Sequence, residues 1–284
     1  MISIIICSRA SEISVELRQN IGETIGSDYE LVVIDNSENR YSIFSAYNEG
    51  IRRAKGDVFC FMHEDILFHT KGWGVRVEHT LVNEEIGLVG VIGSQYKSAQ
   101  CIPWWADFAC VGQLIQGSIQ DKEYKIEKCS HWERRIGDSD EVAMLDGLWF
   151  CARRDLFSTI SFDEITYDGF HMYDADICMQ VHSIGLQVCV LYEVWIEHKS
   201  PGNPNDAFVT QLNLWFEKWK DSLPIYKGRV GENEVLIPED ICSKWSAQRE
   251  DYRKKYNAVL QSKAYRLGKL FLHPSIKNLN NLLK

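Results

Sequence analysis

Polar residues with metal-binding and phosphate-binding chemistry follow two apolar segments near the start of the chain. Asp35 comes directly after residues 29–34, and a His-Glu-Asp run at 63–65 comes directly after residues 57–62. Hard cations such as Mg²⁺ and Mn²⁺ prefer carboxylate oxygens, and such a cation neutralises the phosphates of a bound nucleotide. Strands also end in polar residues merely to reach solvent, and residues 35–37 fit an ordinary turn. Neither cluster identifies a function by itself.

The elements that must position these residues alternate between apolar runs and helical segments. Three short apolar runs are typical of buried strands: residues 2–7, 29–34 and 57–62. The two segments between them are predicted to be helices: residues 12–25 and 42–54. This order with short connections predicts a doubly wound α/β sheet. Ligands bind such sheets outside the carboxyl ends of the strands, where Asp35 and the 63–65 cluster are expected to lie.

The second half of the chain continues the alternation less regularly. Further strands are predicted at residues 87–92, 142–152 and 188–198, the second of them interrupted by Asp146-Gly147. Further helices are predicted at residues 173–185 and 206–223, and loops with short strands at residues 95–140. We therefore expect one α/β domain over residues 1–230, with a mixed sheet flanked by helices, and a C-terminal helical extension over residues 231–284.

Taken together, these segments resemble the family-2 glycosyltransferases, which have the GT-A fold. The resemblance is carried by the opening strand, by residues 33–37 (VIDNS), by residues 48–57 (NEGIRRAKGD) and by the strand that ends in the 63–65 cluster. It extends over about residues 1–200 and is closest to a bacterial, inverting type. It implies transfer of a sugar from a nucleotide-sugar, with UDP as the default nucleotide, to an acceptor hydroxyl in the synthesis of a polysaccharide or another cell-surface glycan.

The resemblance also implies which residues bind the nucleotide-sugar. Asp35 corresponds to an aspartate that binds the base, and Glu64 is expected to contact the ribose or the metal. Asp146 and Gly147 resemble a loop beside the donor. Further contacts are expected from the loop after the first strand and from the segment that leads into the third: Ser8, Arg9, Asn48 and Lys55.

A metal site of the D-x-D type is implied at the end of the third strand. Here the motif is His63-Glu64-Asp65, with histidine where the first acid is usual, so Asp65 is the principal expected ligand. His198 falls where many members of the family place a histidine that completes the metal site, and His63 is a third candidate ligand. A lone histidine such as His198 is otherwise an ordinary core or surface residue. The expected cofactor is Mn²⁺ or Mg²⁺.

Asp174 is the expected catalytic base. It stands in the run YDADIC at 173–178, at the base position of the inverting family members, and Tyr173 replaces the usual acidic neighbour. A carboxylate at this position removes the proton of the acceptor hydroxyl as its oxygen attacks the anomeric carbon. Aspartate in the first turn also stabilises a helix, and the two roles can coexist. Asp176 is expected to point elsewhere.

Tryptophan side chains provide candidate stacking surfaces for a sugar. Trp104, Trp105 and Trp149 present flat apolar rings with a polar edge, which suits contact with a sugar face. Each of them also fits a packing role in the core or at an interface. The sequence leaves both interpretations open.

The overall composition limits the compartment and the partners. The 284 residues carry a net charge of −9, so no general positive field attracts nucleic acid. The nine cysteines are scattered without a C-x-x-C pair, which favours a reducing compartment. The chain opens directly into a strand rather than a signal peptide, and its apolar runs are shorter than a membrane span. We therefore expect a cytoplasmic protein, at most peripheral to a membrane.

The C-terminal segment differs in charge from the rest of the chain. Residues 244–284 contain ten lysines and arginines against two acids, a net charge of about +8 that leaves about −17 on the first 243 residues. Aromatic and aliphatic residues alternate with the basic ones at helical spacing. Such a segment can lie on an anionic membrane that carries a lipid-linked acceptor, or it can pack its apolar stripe on the body of the protein.

Two other functions compete with glycosyl transfer. A sugar-phosphate nucleotidyltransferase has a related sheet, but it requires a glycine-rich phosphate loop after the first strand, and residues 8–13 contain no glycine. An inactive nucleotide-sugar or glycan-binding protein is suggested by His63 and Tyr173 in place of acids. Turnover of a donor distinguishes these possibilities from transfer.

Overall fold

The computed structural model of the protein describes residues 1–107, 109–128, 138–200 and 205–228. The chain divides into two units, Met1–Val235 and Leu236–Lys284. The second unit lies outside the described residues, as does the predicted helical extension over residues 231–284, which stays a prediction. Among the described residues, no helix combines the length and the apolar character needed to cross a membrane.

The described residues of the first unit form the following strands and α-helices, each set in chain order. The strands are β1 (Ile2–Ser8), β2 (Tyr29–Asp35), β3 (Val58–Met62), β4 (Ile66–Phe68), β5 (Ile86–Gly90), β6 (Ile92–Ser94), β7 (Tyr96–Lys97), β8 (Cys110–Ser118), β9 (Glu123–Lys128), β10 (Ser139–Glu141), β11 (Met144–Leu145), β12 (Trp149–Arg153), β13 (Gln187–Leu191), β14 (Ile196–His198) and β15 (Ile225–Tyr226). The α-helices are α1 (Val15–Thr24), α2 (Ile43–Arg53), α3 (Trp73–Leu81), α4 (Tyr173–Ser183) and α5 (Asp206–Trp219).

Seven strands form the main sheet, in the order β10-β13-β5-β12-β3-β1-β2. β1 lies between β2 and β3 and is parallel to both, so that Ser8 stands opposite Asp35. β12 is antiparallel to β3, with Trp149 opposite Met62. The turn before β12 therefore lies at the same edge as the carboxyl ends of β1, β2 and β3.

The central strands send alternate side chains to two apolar layers, as the period of two in a strand requires. Ile5 and Phe61 pack into the layer that contains residues of α2 and α4. Ile6 and Cys60 pack into the layer that contains residues of α1 and α3. Helices thus cover both faces of a mixed sheet, and the predicted α/β fold class is confirmed.

Polar caps fix where three of the helices begin. The side chain of Ser14 accepts a hydrogen bond from the Leu17 N–H at 3.1 Å, so α1 starts at Val15 rather than at residue 12 as predicted. Ser42 and Asn205 cap α2 and α5 in the same way.

A second sheet has the order β11-β6-β8-β14-β4, with β9 paired to β8. Its presence corrects the prediction of single strands at residues 87–92 and 188–198. Each of these runs is divided between the two sheets, as β5 with β6 and as β13 with β14. The apolar run continues through the change of sheet because the strands on both sides of it are buried, so hydrophobicity alone does not mark the break.

Residues 66–81 also differ from the expectation, because β4 and α3 were not predicted there. β4 has only three residues, too few to show a period. Residues 95–140 contain the nine-residue β8, which is longer than the short strands predicted. The predicted interruption at Asp146-Gly147 agrees with the turn between β11 and β12.

Candidate functional site

A cleft of about 780 Å³ opens at the carboxyl edge of the main sheet. It collects residues that are far apart in the chain, from the ends of β1 and β3, from the turn before β12, from the start of α4 and from the end of β14. Its lining is formed by Cys7, Ser8, Arg9, Asn36, Asn39, Ile43, His63, Glu64, Asp65, Trp104, Trp105, Asp146, Gly147, Phe170, His171, Met172, Tyr173, Asp174, His198, Ser200 and Phe208.

Glu64 holds the loop that follows β1. Its carboxylate accepts a hydrogen bond from the Ser8 hydroxyl at 2.5 Å and another from the Arg9 backbone N–H at 3.2 Å. The buried Ser8 thereby fixes the backbone, while the Arg9 side chain is exposed at the cleft. The Arg9 guanidinium can therefore contact an anionic ligand at this end of the cleft.

Asp35 lies at the end of β2, next to Ser8 in the sheet. Its carboxylate accepts a hydrogen bond from the Ser37 N–H at 2.9 Å, and this bond is the main reason why the pKa of Asp35 lies below its ordinary value. Asp35 is not among the residues that line the cleft, whereas its neighbour Asn36 is. Asn36 closes the loop through two hydrogen bonds with the backbone of Tyr41, both 2.9 Å long.

Two of the predicted donor contacts lie away from the cleft. Asn48 is buried in α2, where its amide bonds the backbone of Phe162 in both directions, at 2.8 and 3.2 Å. Lys55 precedes β3, so it lies at the amino edge of the sheet, opposite the cleft. Its backbone N–H there bonds Glu30. Of the predicted donor contacts, five line the cleft: Ser8, Arg9, Glu64, Asp146 and Gly147. Asp35, Asn48 and Lys55 do not.

Three candidate metal ligands converge because of a strand pair that was not predicted. β4 pairs antiparallel with β14, with Ile66 opposite His198, and this places Asp65 beside His198 across 132 intervening residues. His198 Nε2 is 3.6 Å from Asp65 Oδ1 and 3.5 Å from His63 Nδ1. One ligand atom from each of the three residues lies within 4.8 Å of the others.

The protonation of these groups suits a cation. Desolvation and then the neighbouring His198 ring lower the pKa of His63, which therefore stays neutral and keeps a free lone pair near pH 7. Burial works to raise the pKa of Asp65, but the Ser200 hydroxyl and the two imidazoles outweigh it and hold this pKa below its usual value. Two imidazole nitrogens and a carboxylate oxygen form a donor set that can hold a divalent metal ion.

Asp174 lies in the first turn of α4, directly after Met172 and Tyr173. The left-handed backbone of Met172, at φ 65°, turns the chain into the helix at this point. One carboxylate oxygen of Asp174 accepts from the Gly147 N–H at 3.1 Å and the other from the Ala175 N–H at 2.9 Å. Burial, assisted by the charge of Asp146, raises the pKa of Asp174 to about 7. Asp174 is thus a carboxyl group that can exchange a proton near neutral pH.

Tyr173 connects the metal cluster to the turn before β12. Its hydroxyl lies 2.7 Å from His63 Nε2 and 3.0 Å from the carbonyl oxygen of Gly147. A Cβ atom at position 147 would overlap this hydroxyl, so the contact requires glycine. His63 and Tyr173, the two positions at which the chain departs from the family pattern, are therefore in direct contact.

Asp176 belongs to a different environment. It is 1% exposed, and its carboxylate accepts hydrogen bonds from Tyr167, Gln180 and Trp219 at 3.1, 2.7 and 2.8 Å. The Lys218 ammonium is 2.8 Å away. Asp176 therefore joins α4 to α5 and does not line the cleft, in agreement with the expectation that it points away from Asp174.

Aromatic side chains form another part of the cleft lining. Trp105 and Phe170 are 40% and 47% exposed there, and the Phe208 ring packs 5.5 Å from Trp105. Trp149, by contrast, is fully buried against Trp73, so of the three tryptophans considered for stacking it cannot meet a ligand.

Sequence reasoning did not identify Phe170, His171, Phe208 or Ser200 as part of the site. Gln211 of α5 accepts a hydrogen bond from the His171 N–H at 2.8 Å and thereby holds this loop at the cleft. The only signal in the sequence is that these residues lie just before α4, just after His198 or near the start of α5.

Comparisons with known proteins place these observations in context. A curated protein from Fuscovulum blasticum, "ATP synthase subunits region ORF 6", is 28% identical over 162 residues, which are 55% of this chain and 57% of that one. The chain thus matches little more than half the length of this relative.

Solved structures with low sequence identity are also similar. A197 from STIV is 15% identical with a TM-score of 0.41, over 70% of this chain and 86% of that one. GalNAc-T7 with UDP, GalNAc and Mn²⁺ is 11% identical with a TM-score of 0.49, over 94% and 57%. The mannosyltransferase PcManGT from Pyrobaculum calidifontis, in complex with GDP-Man and Mn²⁺, is 12% identical with a TM-score of 0.45, over 94% and 82%.

A family model described as "Glycosyltransferase like family" matches residues 3–218. The match covers about three quarters of the chain and includes all the residues that line the cleft.

Proposed function

Because the chain belongs to this glycosyltransferase-like family, we propose that it is a metal-dependent, inverting enzyme that transfers a sugar from a nucleotide-sugar to an acceptor hydroxyl. The observation that carries the proposal is the single cleft in which the His63-Asp65-His198 cluster and Asp174 meet. The metal cluster is suited to the charge of a diphosphate, and Asp174 is suited to accepting the proton of a hydroxyl. A UDP-sugar donor and an acceptor in cell-surface glycan synthesis are the parts of the proposal that rest on the resemblance alone.

The donor occupies the end of the cleft formed by β1, β2 and β3. Arg9 is exposed beside the backbone that Glu64 fixes, so its guanidinium can bond phosphate oxygens without moving the loop. Asn36 lines the same end, and Asp35, the residue proposed to recognise the base, directly precedes it in the chain. Asp146 and Gly147 flank the sugar. Asn48 and Lys55 have no place in this arrangement.

A divalent metal would be held by His63 Nδ1, Asp65 Oδ1 and His198 Nε2. It would neutralise charge on the departing nucleoside diphosphate. The protein contributes the geometry: β3, β4 and β14 fix the three side chains, and the Lys199 N–H donates to the Asp65 carbonyl at 3.0 Å, so that the two segments are joined directly. Rigid elements of this kind keep the ligands in place before the donor arrives.

Asp174 acts as the general base. As the acceptor oxygen bonds to the anomeric carbon and the bond to the diphosphate breaks, the Asp174 carboxylate takes the hydroxyl proton. Each of its oxygens accepts one backbone hydrogen bond, which leaves lone pairs for the acceptor. The aromatic part of the cleft lining, with Trp105 and Phe170, provides an apolar surface on which an acceptor sugar ring can stack.

The proposal is tested by measuring binding of UDP and of UDP-sugars by calorimetry and thermal shift, with and without Mn²⁺. A ligand that binds only the folded protein raises its melting temperature, so we expect a shift that requires both nucleotide and metal. Asp65→Asn should abolish this metal-dependent part while the circular dichroism spectrum stays unchanged. Equal UDP–Mn²⁺ affinity in wild type and Asp65→Asn would refute the metal assignment.

A matched control is Asp57→Asn, an exposed acid at the amino edge of the sheet. It removes the same charge far from the cleft and should leave UDP–Mn²⁺ affinity unchanged. Products then separate the remaining alternatives, because release of free UDP indicates glycosyl transfer or donor hydrolysis. Formation of a nucleotide-sugar from a sugar phosphate would indicate a nucleotidyltransferase, and tight binding without turnover an inactive binding protein.

A further inference from the structure

We propose that Tyr173 is a positioning residue for the metal: its hydroxyl holds the Nε2 side of His63, so that Nδ1 of the same ring is presented to the cation. This inference rests on the metal-dependent transfer proposed above. It concerns a residue that acts on the metal through its contact with His63.

The hydrogen bonds of the Tyr173 hydroxyl determine which nitrogen of His63 carries the proton. The hydroxyl has a single hydrogen and two neighbours, the Gly147 carbonyl oxygen at 3.0 Å and His63 Nε2 at 2.7 Å. A carbonyl oxygen only accepts, so the hydroxyl donates to Gly147. The shorter contact is then satisfied only if His63 Nε2 carries a hydrogen and donates it to the tyrosine oxygen.

The opposite nitrogen of the ring is consequently the metal-binding one. With the proton on Nε2, a neutral His63 has its lone pair on Nδ1. Nδ1 lies 3.5 Å from His198 Nε2 and 3.9 Å from Asp65 Oδ1, among the other ligand atoms of the cluster. A hydrogen bond on the far nitrogen of a ligating histidine fixes both the tautomer and the ring orientation.

The position of Tyr173 is itself fixed by packing. Its ring is 5% exposed and meets those of Tyr47 and Phe150 at centroid distances of 5.6 and 6.4 Å. Gly147 approaches so closely that any side chain there would collide with the Tyr173 hydroxyl. The hydroxyl therefore has little freedom to move, and the His63 ring is held against a rigid partner.

The test is Mn²⁺ affinity, measured on the full chain by the electron paramagnetic resonance signal of free Mn²⁺, with and without UDP. Tyr173→Phe removes only the hydroxyl, and we expect Mn²⁺ affinity to fall by about 10- to 100-fold, the usual cost of losing a partner behind a metal ligand. A purely structural role of Tyr173 would lower the melting temperature and leave the Mn²⁺ affinity unchanged.

Tyr47→Phe is the matched control. Tyr47 is a buried tyrosine in contact with Tyr173, and its hydroxyl has no hydrogen-bond partner among the described residues. The same chemical change at this neighbouring position should leave Mn²⁺ affinity within about twofold, a difference of less than about 0.5 kcal/mol.

A double-mutant cycle shows whether Tyr173 acts through His63. In a His63→Gln background, the further change Tyr173→Phe should cost no additional Mn²⁺ affinity. An equal loss in both backgrounds would overturn the inference, because Tyr173 would then act on the metal by another route.

Nitrogen-15 chemical shifts of the wild-type histidines test the tautomer without any variant, and so also cover the case in which Tyr173→Phe does not fold. We expect a protonated Nε2 and an unprotonated Nδ1 for His63, assigned by the loss of its signals in His63→Gln. The opposite tautomer, or unchanged Mn²⁺ affinity in folded Tyr173→Phe, would overturn this inference alone. A wild-type protein that takes up no Mn²⁺, with or without UDP, would overturn the metal-dependent function as well.

Discussion

The chemistry proposed for Asp174 depends on its surroundings more than on its residue type. Burial and the nearby Asp146 raise the pKa of Asp174 to about 7, while the Gly147 and Ala175 N–H groups act in the opposite direction. A carboxyl group of ordinary pKa would be ionised at neutral pH but would be a weak base. The raised pKa therefore improves its ability to take a proton from a hydroxyl.

Asp174→Asn should separate the role of base from the role of helix terminus. Asparagine preserves the size of the side chain and its favourable position at a helix start, but it cannot take the proton. We expect donor and metal binding to persist while the transfer rate falls by at least about a hundredfold. The rate of sugar transfer under saturating donor provides the measurement. Near-normal transfer would leave Asp146, another carboxylate that lines the cleft, as the next candidate to examine.

The pH dependence of transfer should carry the signature of the same group. The carboxyl is protonated below its pKa of about 7, and only the ionised form acts as a base. We expect kcat/KM to rise with pH up to about 7 and then to level off. The residual activity of Asp174→Asn should lack this step. A wild-type profile that is flat between pH 6 and pH 8 would contradict the assignment.

The stability of the protein should show the opposite trend with pH. Because folding raises the pKa of Asp174 from 3.8 to about 7, the folded state binds a proton more tightly than the unfolded state. This contribution to stability is fully present below the unfolded value and is lost as pH rises through the folded value. At pH values above 7, we expect the melting temperature of Asp174→Asn, measured by calorimetry, to be higher than that of wild type. An equal or lower melting temperature would argue against destabilisation of the fold by the buried carboxylate.

At the scale of elements, the cleft depends on how α4 and α5 are joined. Asp176 on α4 accepts a hydrogen bond from Trp219, the last residue of α5, and lies beside the Lys218 ammonium of the same helix. Gln211, also on α5, supports the loop that ends at His171. Side chains that face away from the cleft thus determine where Phe170, His171 and Tyr173 lie. The geometry of the cleft therefore depends on the packing of α4 against α5.

Asp176→Ala should therefore destabilise the fold. The change leaves Lys218 with one carboxylate partner and removes the acceptor of three hydrogen bonds, and losing one partner of a buried ion pair costs about 3–5 kcal/mol. Lys218 is 26% exposed, so we expect about 3 kcal/mol at most from denaturant unfolding. Asp155→Ala, which removes an exposed acid paired with Arg153, is the control and should cost less than about 1 kcal/mol. Similar losses in both variants would contradict the role of Asp176.

The aromatic part of the cleft lining predicts a separate effect on the acceptor. Trp105→Ala removes an exposed ring, and we expect the KM for a glycan acceptor to rise by about tenfold, equivalent to about 1.4 kcal/mol, while donor affinity is unchanged. Tyr124→Ala, which removes a similarly exposed aromatic ring on β9 outside the cleft lining, is the control. Loss of donor affinity in Trp105→Ala would place the donor, rather than the acceptor, beside Trp105.

At the scale of the whole molecule, charge is distributed unevenly along the chain. The first 243 residues carry about −17 and residues 244–284 about +8. The basic segment lies outside the described residues, so its role rests on composition. A basic amphipathic segment gains about 1 kcal/mol per lysine or arginine near an anionic membrane surface.

Deletion of residues 244–284 should abolish co-sedimentation with vesicles that contain phosphatidylserine. For the full chain we expect binding that weakens as salt rises from about 0.05 to 0.5 M, because screening shortens the range of the attraction. Vesicles of neutral phosphatidylcholine serve as the control. Equal sedimentation of the two proteins would show that the basic segment is not a membrane contact.

The sequence alone determined those features that depend on local pattern. Short continuous apolar runs located β1, β2 and β3, and the polar residues after them located the edge of the cleft. Asp174 at the start of α4 and the turn at Asp146-Gly147 were equally local signals. In each case, the residues that decide the structure lie within a few positions of one another.

Only the tertiary structure decided which distant residues meet. Asp65 and His198 come together through the pairing of β4 with β14, and the three residues of β4 are too few to predict a partner 130 positions away. The contact between Tyr173 and His63 requires both this arrangement and the missing side chain of Gly147. Asn48 and Lys55 were expected to contact the donor. Asn48 instead lies in the core, and Lys55 lies at the opposite edge of the sheet. The sequence of a helical motif does not indicate which of its faces will pack on the sheet. Long-range pairing is selected by the packing of the whole core, and no local period records it.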